Sequence, residues 1–162
     1  MKIAFIGHRK INITNTLKDN LYAAIEKILY DFPDAEFLFG SNSEFDFLCL
    51  QTINNLRLRF PYLKRIYVRA KMENLNESYE KYLHSIYDDT FFPNEIKNTG
   101  KALYVERNKV MIDMCDKLFV YYDPHYTVST KKGFSSNSGT KIAFKYALKS
   151  NKEIINFFIG YC

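Results

Sequence analysis

Residues 2–7 are Lys-Ile-Ala-Phe-Ile-Gly, an apolar run that predicts a short buried β-strand ending in glycine. Residues 36–40, Glu-Phe-Leu-Phe-Gly, repeat this arrangement, and a third strand, Lys-Arg-Ile-Tyr-Val-Arg, is predicted over 64–69. The first two strands each end at a glycine that is followed by polar residues. The pattern therefore predicts buried strands that turn sharply into helices.

Two amphipathic helices are predicted between these strands. Apolar residues recur at spacings of three and four over 17–29, after Thr14 or Asn15 as the N-cap. The second helix follows the capping stretch 41–43 and carries its apolar residues over 45–58. The resulting alternation of strand and helix implies an α/β fold, in which a doubly wound, mainly parallel sheet is flanked by helices. We expect residues 1–162 to form a single domain.

The second half of the chain continues the alternation after a less regular segment from Ala70 to Gly100. The predicted elements are, in order, a helix over 75–86, an edge strand over 89–93, a helix over 102–115, a strand over 117–122, a polar loop over 127–138, a helix from 139 to about 148 and a final strand over 153–158.

The composition narrows the classes of function. The three cysteines are isolated, with no CxxC pair, so no zinc site, other metal or cofactor is predicted, and a reducing cytoplasm is expected. The apolar run at residues 2–7 is too short for a signal sequence or a membrane span. The net charge of +5 permits nucleic-acid binding but also suits a small anionic ligand, which we favour.

The first candidate ligand-binding residues follow the two glycine-ended strands. Gly7 and Gly40 would let backbone N–H groups approach a ligand, although each could simply form a tight turn. Arg9 could bind a phosphate or carboxylate in a bidentate manner, and His8 could donate a hydrogen bond or carry a proton. The alternatives are a surface ion pair for Arg9 and a structural role for His8. Ser41 begins the connection after the second strand.

The start of the second predicted helix offers a site for an anion, because free N–H groups and the positive end of the helix dipole meet there. Glu44 and Asp46 lie in its first turn. We assign Glu44 a structural role, and for Asp46 both a structural and a ligand-binding role remain open.

Two later motifs complete the candidate site. Arg107 and Asn108 lie near the start of a predicted helix and offer several donors for a phosphate or ribose, while Glu106 is the best-placed carboxylate for catalysis. The run Ser138-Gly139-Thr140 enters the next helix after a long polar loop and could surround a phosphate with N–H and hydroxyl donors. Neither the P-loop pattern nor the dinucleotide-binding GxGxxG is present.

These motifs together resemble the SLOG superfamily, which contains the LOG (lonely guy) phosphoribohydrolases and the DNA-processing protein DprA, and within it the small YpsA-like bacterial and phage proteins. The resemblance rests on Gly7-His8-Arg9, on Gly40-Ser-Asn-Ser-Glu-Phe-Asp46, on Arg107-Asn108-x-x-Met111-Ile-Asp113-x-x-Asp116 and on Ser138-Gly139-Thr140. It implies a Rossmann-like fold that binds nucleotides or nucleotide-derived ligands, as a homodimer. The catalytic glutamate of the phosphoribohydrolases would fall at Ala143, so the resemblance favours binding over cleavage.

Three functions follow, in order of preference. The first is binding or sensing of a nucleotide-derived small ligand, such as a nucleoside phosphate or an ADP-ribose-like molecule, at the carboxyl edge of the sheet. The second is hydrolysis or transfer at a nucleotide N-glycosidic bond, for which Glu106 would be the catalytic residue. The third is binding of single-stranded nucleic acid.

Overall fold

The computed structural model describes residues 1–71, 77–131, 133–135 and 137–160. Its elements, in chain order, are β1 (Lys2–Gly7), α1 (Asn15–Asp31), β2 (Glu36–Phe39), α2 (Glu44–Leu56), β3 (Lys64–Val68), α3 (Glu77–Ile86), β4 (Asp89–Phe91), α4 (Ala102–Met114), β5 (Lys117–Tyr121), β6 (Val128–Thr130), β7 (Gly133–Ser135), α5 (Gly139–Lys149) and β8 (Glu153–Asn156).

Six strands form one parallel sheet in the order β4-β3-β2-β1-β5-β8. The chain builds the sheet outward from β1 to β4 and then returns to the other side of β1 with β5. This reversal of direction between β1 and β5 is the switch point at which open α/β sheets bind ligands. The doubly wound, Rossmann-like α/β fold predicted from the sequence is confirmed.

The two faces of the sheet carry two different cores, because alternate residues of each strand point to opposite faces. One face is rich in phenylalanine and packs against α1 and α2; among its fully buried residues are Phe5, Phe37, Phe39, Phe45 and Phe119. The other face packs smaller side chains against α4 and α5, among them Ala4, Ile6, Val120, Ala143 and Ala147. The small residues of α5 bring its backbone close to the sheet.

Several helix and loop assignments differ from the sequence predictions. Leu58 was predicted on the apolar face of the second helix but is 94% exposed, because α2 ends at Leu56. Ile142, an apolar residue that would be expected on the inner face of α5, is 39% exposed, because Thr140 and Ala143 face inward instead.

The polar loop predicted over 127–138 contains an antiparallel hairpin, β6–β7, which is separate from the main sheet. The strand predicted over 89–93 is the parallel edge strand β4. The start of the helix predicted over 75–86 lies outside the described residues, and α3 is described from Glu77.

The described residues contain neither a helix that could span a membrane nor a cluster of metal ligands. No helix among them is both long and apolar enough to cross a membrane. In the same part of the chain, no group of three or more His, Cys, Asp or Glu side chains could hold a metal ion.

Candidate functional site

A cleft of about 1190 Å³ opens at the carboxyl edge of the sheet. It is bounded by the ends of β1, β2 and β3, by α4, by the β6–β7 hairpin and by the start of α5. Ten of the eleven predicted ligand-binding residues line it: Gly7, His8, Arg9, Gly40, Ser41, Arg107, Asn108, Ser138, Gly139 and Thr140. Asp46 and Glu106 are not part of the lining.

The two glycines at the strand ends accommodate other parts of the protein. A Cβ atom on Gly7 would lie 2.4 Å from the Cβ of Phe45, so the absence of a side chain there lets α2 pack against β1. A Cβ atom on Gly40 would lie 2.7 Å from Nε and Nη1 of Arg107 and from Sδ of Met111. Both glycines therefore have a packing role, in addition to any contact with a ligand.

Gly139 differs from these two glycines, because a Cβ atom there would meet no atom of the described residues within 4 Å, apart from its chain neighbours and its own helix. Its backbone lies at the first position of α5, where Ser138 is the N-cap and its hydroxyl accepts the Lys141 N–H at 3.1 Å. The N–H groups of Gly139 and Thr140 have no acceptor within the described part of the chain. This end of α5 therefore offers free N–H donors to the cleft.

His8 is 1% exposed and lies at the switch point. The Asp123 backbone N–H donates to Nε2 at 3.0 Å, and the Asp123 carbonyl oxygen lies 3.2 Å from the same nitrogen. A backbone N–H donates and a carbonyl oxygen accepts, so each neutral tautomer of the ring makes one of these two hydrogen bonds. Nδ1 is buried and has no hydrogen-bond partner among the described residues. The ring stacks on Tyr126 at 3.8 Å, and burial lowers the pKa of His8, which favours the neutral imidazole.

Asp46 shapes the loop between β2 and α2. Its carboxylate accepts the Ser41 N–H at 2.9 Å and the Ser43 hydroxyl at 3.0 Å, while Ser43 caps α2 by accepting the Asp46 N–H at 3.0 Å. Burial raises the pKa of Asp46, and these hydrogen bonds and Arg107 oppose that effect. Of the two roles left open by the sequence, the contacts of Asp46 are those of a structural residue.

Glu44 has the structural role predicted for it. Its carboxylate pairs with Lys10 at 2.6 Å and accepts the Ile11 N–H at 3.0 Å, while its own N–H donates to the Arg9 carbonyl at 3.0 Å. The hydrogen bond from Lys10 is the largest cause of the lowered pKa of Glu44. The first turn of α2 is therefore occupied by contacts within the protein.

Arg107 lies in the middle of α4, not near its start, and is 2% exposed. Its Nε–H donates to Oδ1 of Asn108 at 3.0 Å, and Nη1 lies 3.5 Å from the Val68 carbonyl. Burial lowers the pKa of Arg107, and Asp46 opposes this shift. The guanidinium group, carried by α4, therefore lies near the end of β3 and lines the cleft.

Glu106 points to the loop that precedes α4. Its carboxylate accepts the backbone N–H groups of Lys97 at 3.1 Å and Asn98 at 3.0 Å, and also the Asn98 side-chain amide. The hydrogen bonds from Asn98 lower its pKa. The structure therefore does not bring Glu106 together with the other predicted site residues.

Ala143, the position at which the resemblance would place a catalytic glutamate, is 2% exposed in the core beneath α5. It lies about one turn after Gly139, the first residue of α5. The alanine therefore contributes to packing between α5 and the sheet.

Sequence reasoning missed part of the lining. The additional charged and aromatic residues are Arg69, Lys71, Lys101, Tyr67, Tyr79, Tyr104 and Tyr126. Arg9 was predicted because it follows the first strand closely, and Arg69 could have been predicted in the same way, since it follows β3 directly. The tyrosines on α3 and α4 could not, because only the tertiary fold brings those helices to the strand ends.

The charges of the described lining are all of one sign. Arg9, Arg69, Lys71, Lys101 and Arg107 supply five cationic side chains, and no aspartate or glutamate is among the described lining residues. The whole chain, by contrast, has 18 acidic residues against 23 basic ones. The cleft is therefore a much more cationic environment than the rest of the protein.

The architecture and the position of the cleft are those of Rossmann-like α/β proteins. The fold is similar to a solved structure of DNA processing protein A from Helicobacter pylori, a protein described for its single-stranded DNA binding mode, with a TM-score of 0.57 and 14% sequence identity. The match covers 95% of this chain and 63% of that one, so this chain spans less than two thirds of the neighbour. No protein-family model and no curated protein matches the sequence.

This similarity supports the Rossmann-like part of the resemblance to the SLOG superfamily and concerns the fold alone. Membership in the YpsA-like branch stays a prediction.

Proposed function

We propose that the cleft binds a nucleotide-derived small molecule through its anionic groups. The observation that carries this proposal is the charge of the lining, with five cationic side chains and no carboxylate among its described residues. Cationic clefts with low-dielectric walls concentrate anionic ligands. A cavity of about 1190 Å³ is large enough for a nucleotide conjugate.

The start of α5 would hold one phosphate group. The Gly139 and Thr140 N–H groups and the positive end of the helix dipole favour an anion there. Beyond its chain neighbours and its own helix, no described residue would lie within 4 Å of a Cβ built on Gly139, so a phosphate oxygen can approach the backbone closely. The Ser138 hydroxyl is already used by the Lys141 N–H and can still donate to an oxygen of the ligand.

Aromatic rings would hold the base or another ring of the ligand. Tyr104 and Tyr126 line the cleft from two different elements, α4 and the loop after β5. Tyr126 stacks on His8, so one face of this aromatic pair can pack against a planar ligand. Nδ1 of His8 would form a hydrogen bond with a polar group of the ligand, which would satisfy a buried polar atom.

Binding is favoured over cleavage of an N-glycosidic bond. Such cleavage needs a carboxylate near the developing positive charge on the sugar. Within the described residues the candidate carboxylates are engaged elsewhere: Asp46 by Ser41 and Ser43, and Glu106 by Lys97 and Asn98.

Calorimetry and thermal unfolding with AMP, ADP and ADP-ribose would test the proposal, with adenosine as the uncharged control. We expect the charged compounds to bind and to raise the melting temperature, because a ligand that binds only the native state stabilises it. Binding of adenosine as tightly as AMP would contradict the role of the cationic lining, and absence of binding by every charged compound would remove the proposal.

A pair of variants with the same charge change sharpens this test. Lys101→Gln removes a cation from the cleft, whereas Lys27→Gln removes one from the exposed face of α1. We expect only Lys101→Gln to weaken binding of ADP. Equal weakening by both variants would indicate a general effect of net charge.

Single-stranded nucleic acid is the second candidate ligand, and the fold similarity to DNA processing protein A favours it. Cations and tyrosines on one surface are also the usual means of binding single strands. A labelled oligonucleotide would test this function in increasing salt. If ADP does not compete with the oligonucleotide, the nucleic acid binds elsewhere.

A further inference from the structure

The end of β3 carries two arginines that face the same cleft. Arg69 follows β3 directly, and its backbone N–H donates to the Phe91 carbonyl at 2.8 Å, which fixes its position on the sheet. Arg107 reaches this point from α4, with Nη1 3.5 Å from the carbonyl of Val68, the residue before Arg69. Both side chains line the cleft.

Arg69 has an unsatisfied donor. Its Nε atom is buried and has no hydrogen-bond partner within the described part of the chain, although the residue as a whole is only partly buried. A buried N–H without an acceptor is costly, so such groups usually meet a ligand or an ordered water. The donor is therefore positioned for an acceptor that the protein itself does not supply.

Neither arginine has a carboxylate within ion-pair distance among the described residues. Asp46 acts on Arg107 only at longer range, since its oxygens accept from Ser41 and Ser43. Arg65, on the same strand, shows the contrasting case, because its Nε–H donates to Asp88 at 3.0 Å. Two guanidinium groups that line one cleft without a carboxylate partner favour a bound anion.

We infer that Arg69 and Arg107 form a second anion subsite, separate from the start of α5, and that the ligand carries two anionic groups at a distance from each other. This inference rests on the proposed anion-binding function. Helix α5 packs against β1 and β5, whereas Arg69 follows β3, which β2 separates from β1, so the two subsites lie about 10 Å or more apart. A single phosphate group therefore cannot contact both subsites, whereas a nucleotide derivative with two separated phosphates can.

Calorimetry with two probes tests this inference, using AMP as the singly phosphorylated probe and the 5′-phosphorylated dinucleotide pApA as the doubly phosphorylated one. We expect the protein to bind pApA about tenfold or more tightly than AMP, which is the range for one charge-assisted contact. Because Arg69→Gln should weaken binding of pApA more than binding of AMP, it should remove most of this advantage. Arg69→Lys should keep part of it, because the charge remains and the bidentate geometry is lost.

Arg65→Gln is the matched control, since it makes the same substitution on the same strand outside the cleft and should leave both affinities unchanged. Circular dichroism would establish that each variant is folded. If Arg69→Gln weakens AMP and pApA equally, or weakens neither, the second subsite is excluded while the proposed function stands. If the unmodified protein binds neither probe, the proposed function fails, and the inference fails with it.

Discussion

Helices α2 and α5 begin in the same way at the same edge of the sheet, but their first turns have different surroundings. The caps Ser43 (φ −81°, ψ 155°) and Ser138 (φ −83°, ψ 156°) have nearly identical backbone geometry, and each hydroxyl accepts the N–H three residues later. The first turn of α2 contains Glu44 and Asp46, whereas that of α5 contains no acidic residue. The protein thus occupies one positive helix end with its own carboxylates and leaves the other available to a ligand.

The glycines near these helices show the same difference. Gly7 is covered by Phe45 of α2, while a Cβ atom on Gly139 would contact no described residue beyond its chain neighbours and its own helix within 4 Å. The absence of a side chain therefore has a different effect at the end of this strand than at the start of this helix. The first makes room for the protein, and the second leaves a space that a ligand can fill.

Alanine at these two glycines should give the largest contrast. Gly7→Ala would place a Cβ atom 2.4 Å from the Cβ of Phe45, which cannot move away without shifting α2. We expect this change to cost about 2–3 kcal/mol of unfolding free energy. Gly139→Ala should change the free energy by less than about 0.5 kcal/mol and still weaken ADP binding. Urea denaturation and calorimetry on both variants provide the measurements.

The same experiment can contradict the contrast in two ways. Equal loss of stability in both variants would mean that Gly139 is constrained by the fold as strictly as Gly7 is. If Gly139→Ala binds ADP as the unmodified protein does, the backbone of α5 does not approach the ligand.

Alanine at the two caps should have the next largest effect. Loss of either hydroxyl should cost about 1 kcal/mol, the usual value for an N-cap. Ser43→Ala should cost more than Ser138→Ala, because Ser43 also donates to Asp46 at 3.0 Å. Only Ser138→Ala should weaken ADP binding. If Ser43→Ala weakens it to the same degree, a ligand also contacts the start of α2.

The regular secondary structure and the position of the cleft could be predicted from the sequence. Apolar runs and helical patterns indicated the order of the main strands and helices, and local capping chemistry identified Thr14 and the stretch that contains Ser43. The edge at which strands 1, 2, 3 and 5 meet followed from parallel pairing, so ten of the eleven residues predicted to bind a ligand line the cleft.

The parts that depend on contacts between distant segments could not be predicted. A side chain at position 7 would clash with Phe45, and a side chain at position 40 would clash with Arg107 and Met111. The hydrogen bonds of Glu106 to Lys97 and Asn98 depend on a loop with no regular pattern. The hairpin β6–β7 was missed because its strands are short and polar.

His8 lies at the switch point at the end of β1, and its protonation should make the unfolding free energy depend on pH. Burial lowers its pKa below the ordinary value of 6.5. Below pH 6.5 the unfolded chain therefore binds more protons than the folded one, and stability falls as the pH decreases through 6.5. We expect the unfolding free energy of the unmodified protein to decrease from pH 7.5 to 5.5 relative to that of His8→Phe, as measured by urea denaturation. A constant difference would mean that His8 does not titrate differently on folding.

Glu106→Gln should have the smallest effect, because Glu106 lies outside the cleft and belongs to neither helix end. Glutamine keeps one oxygen that can accept the N–H groups of Lys97 and Asn98, so the loop before α4 should hold its position. We expect ADP affinity to stay within about twofold of the unmodified value. Chromatography of NAD and nucleoside monophosphates incubated with both proteins would detect any release of free base. Base release that is lost in Glu106→Gln would make this carboxylate catalytic, and the ligand would then have to reach beyond the cationic lining to the loop at Asn98.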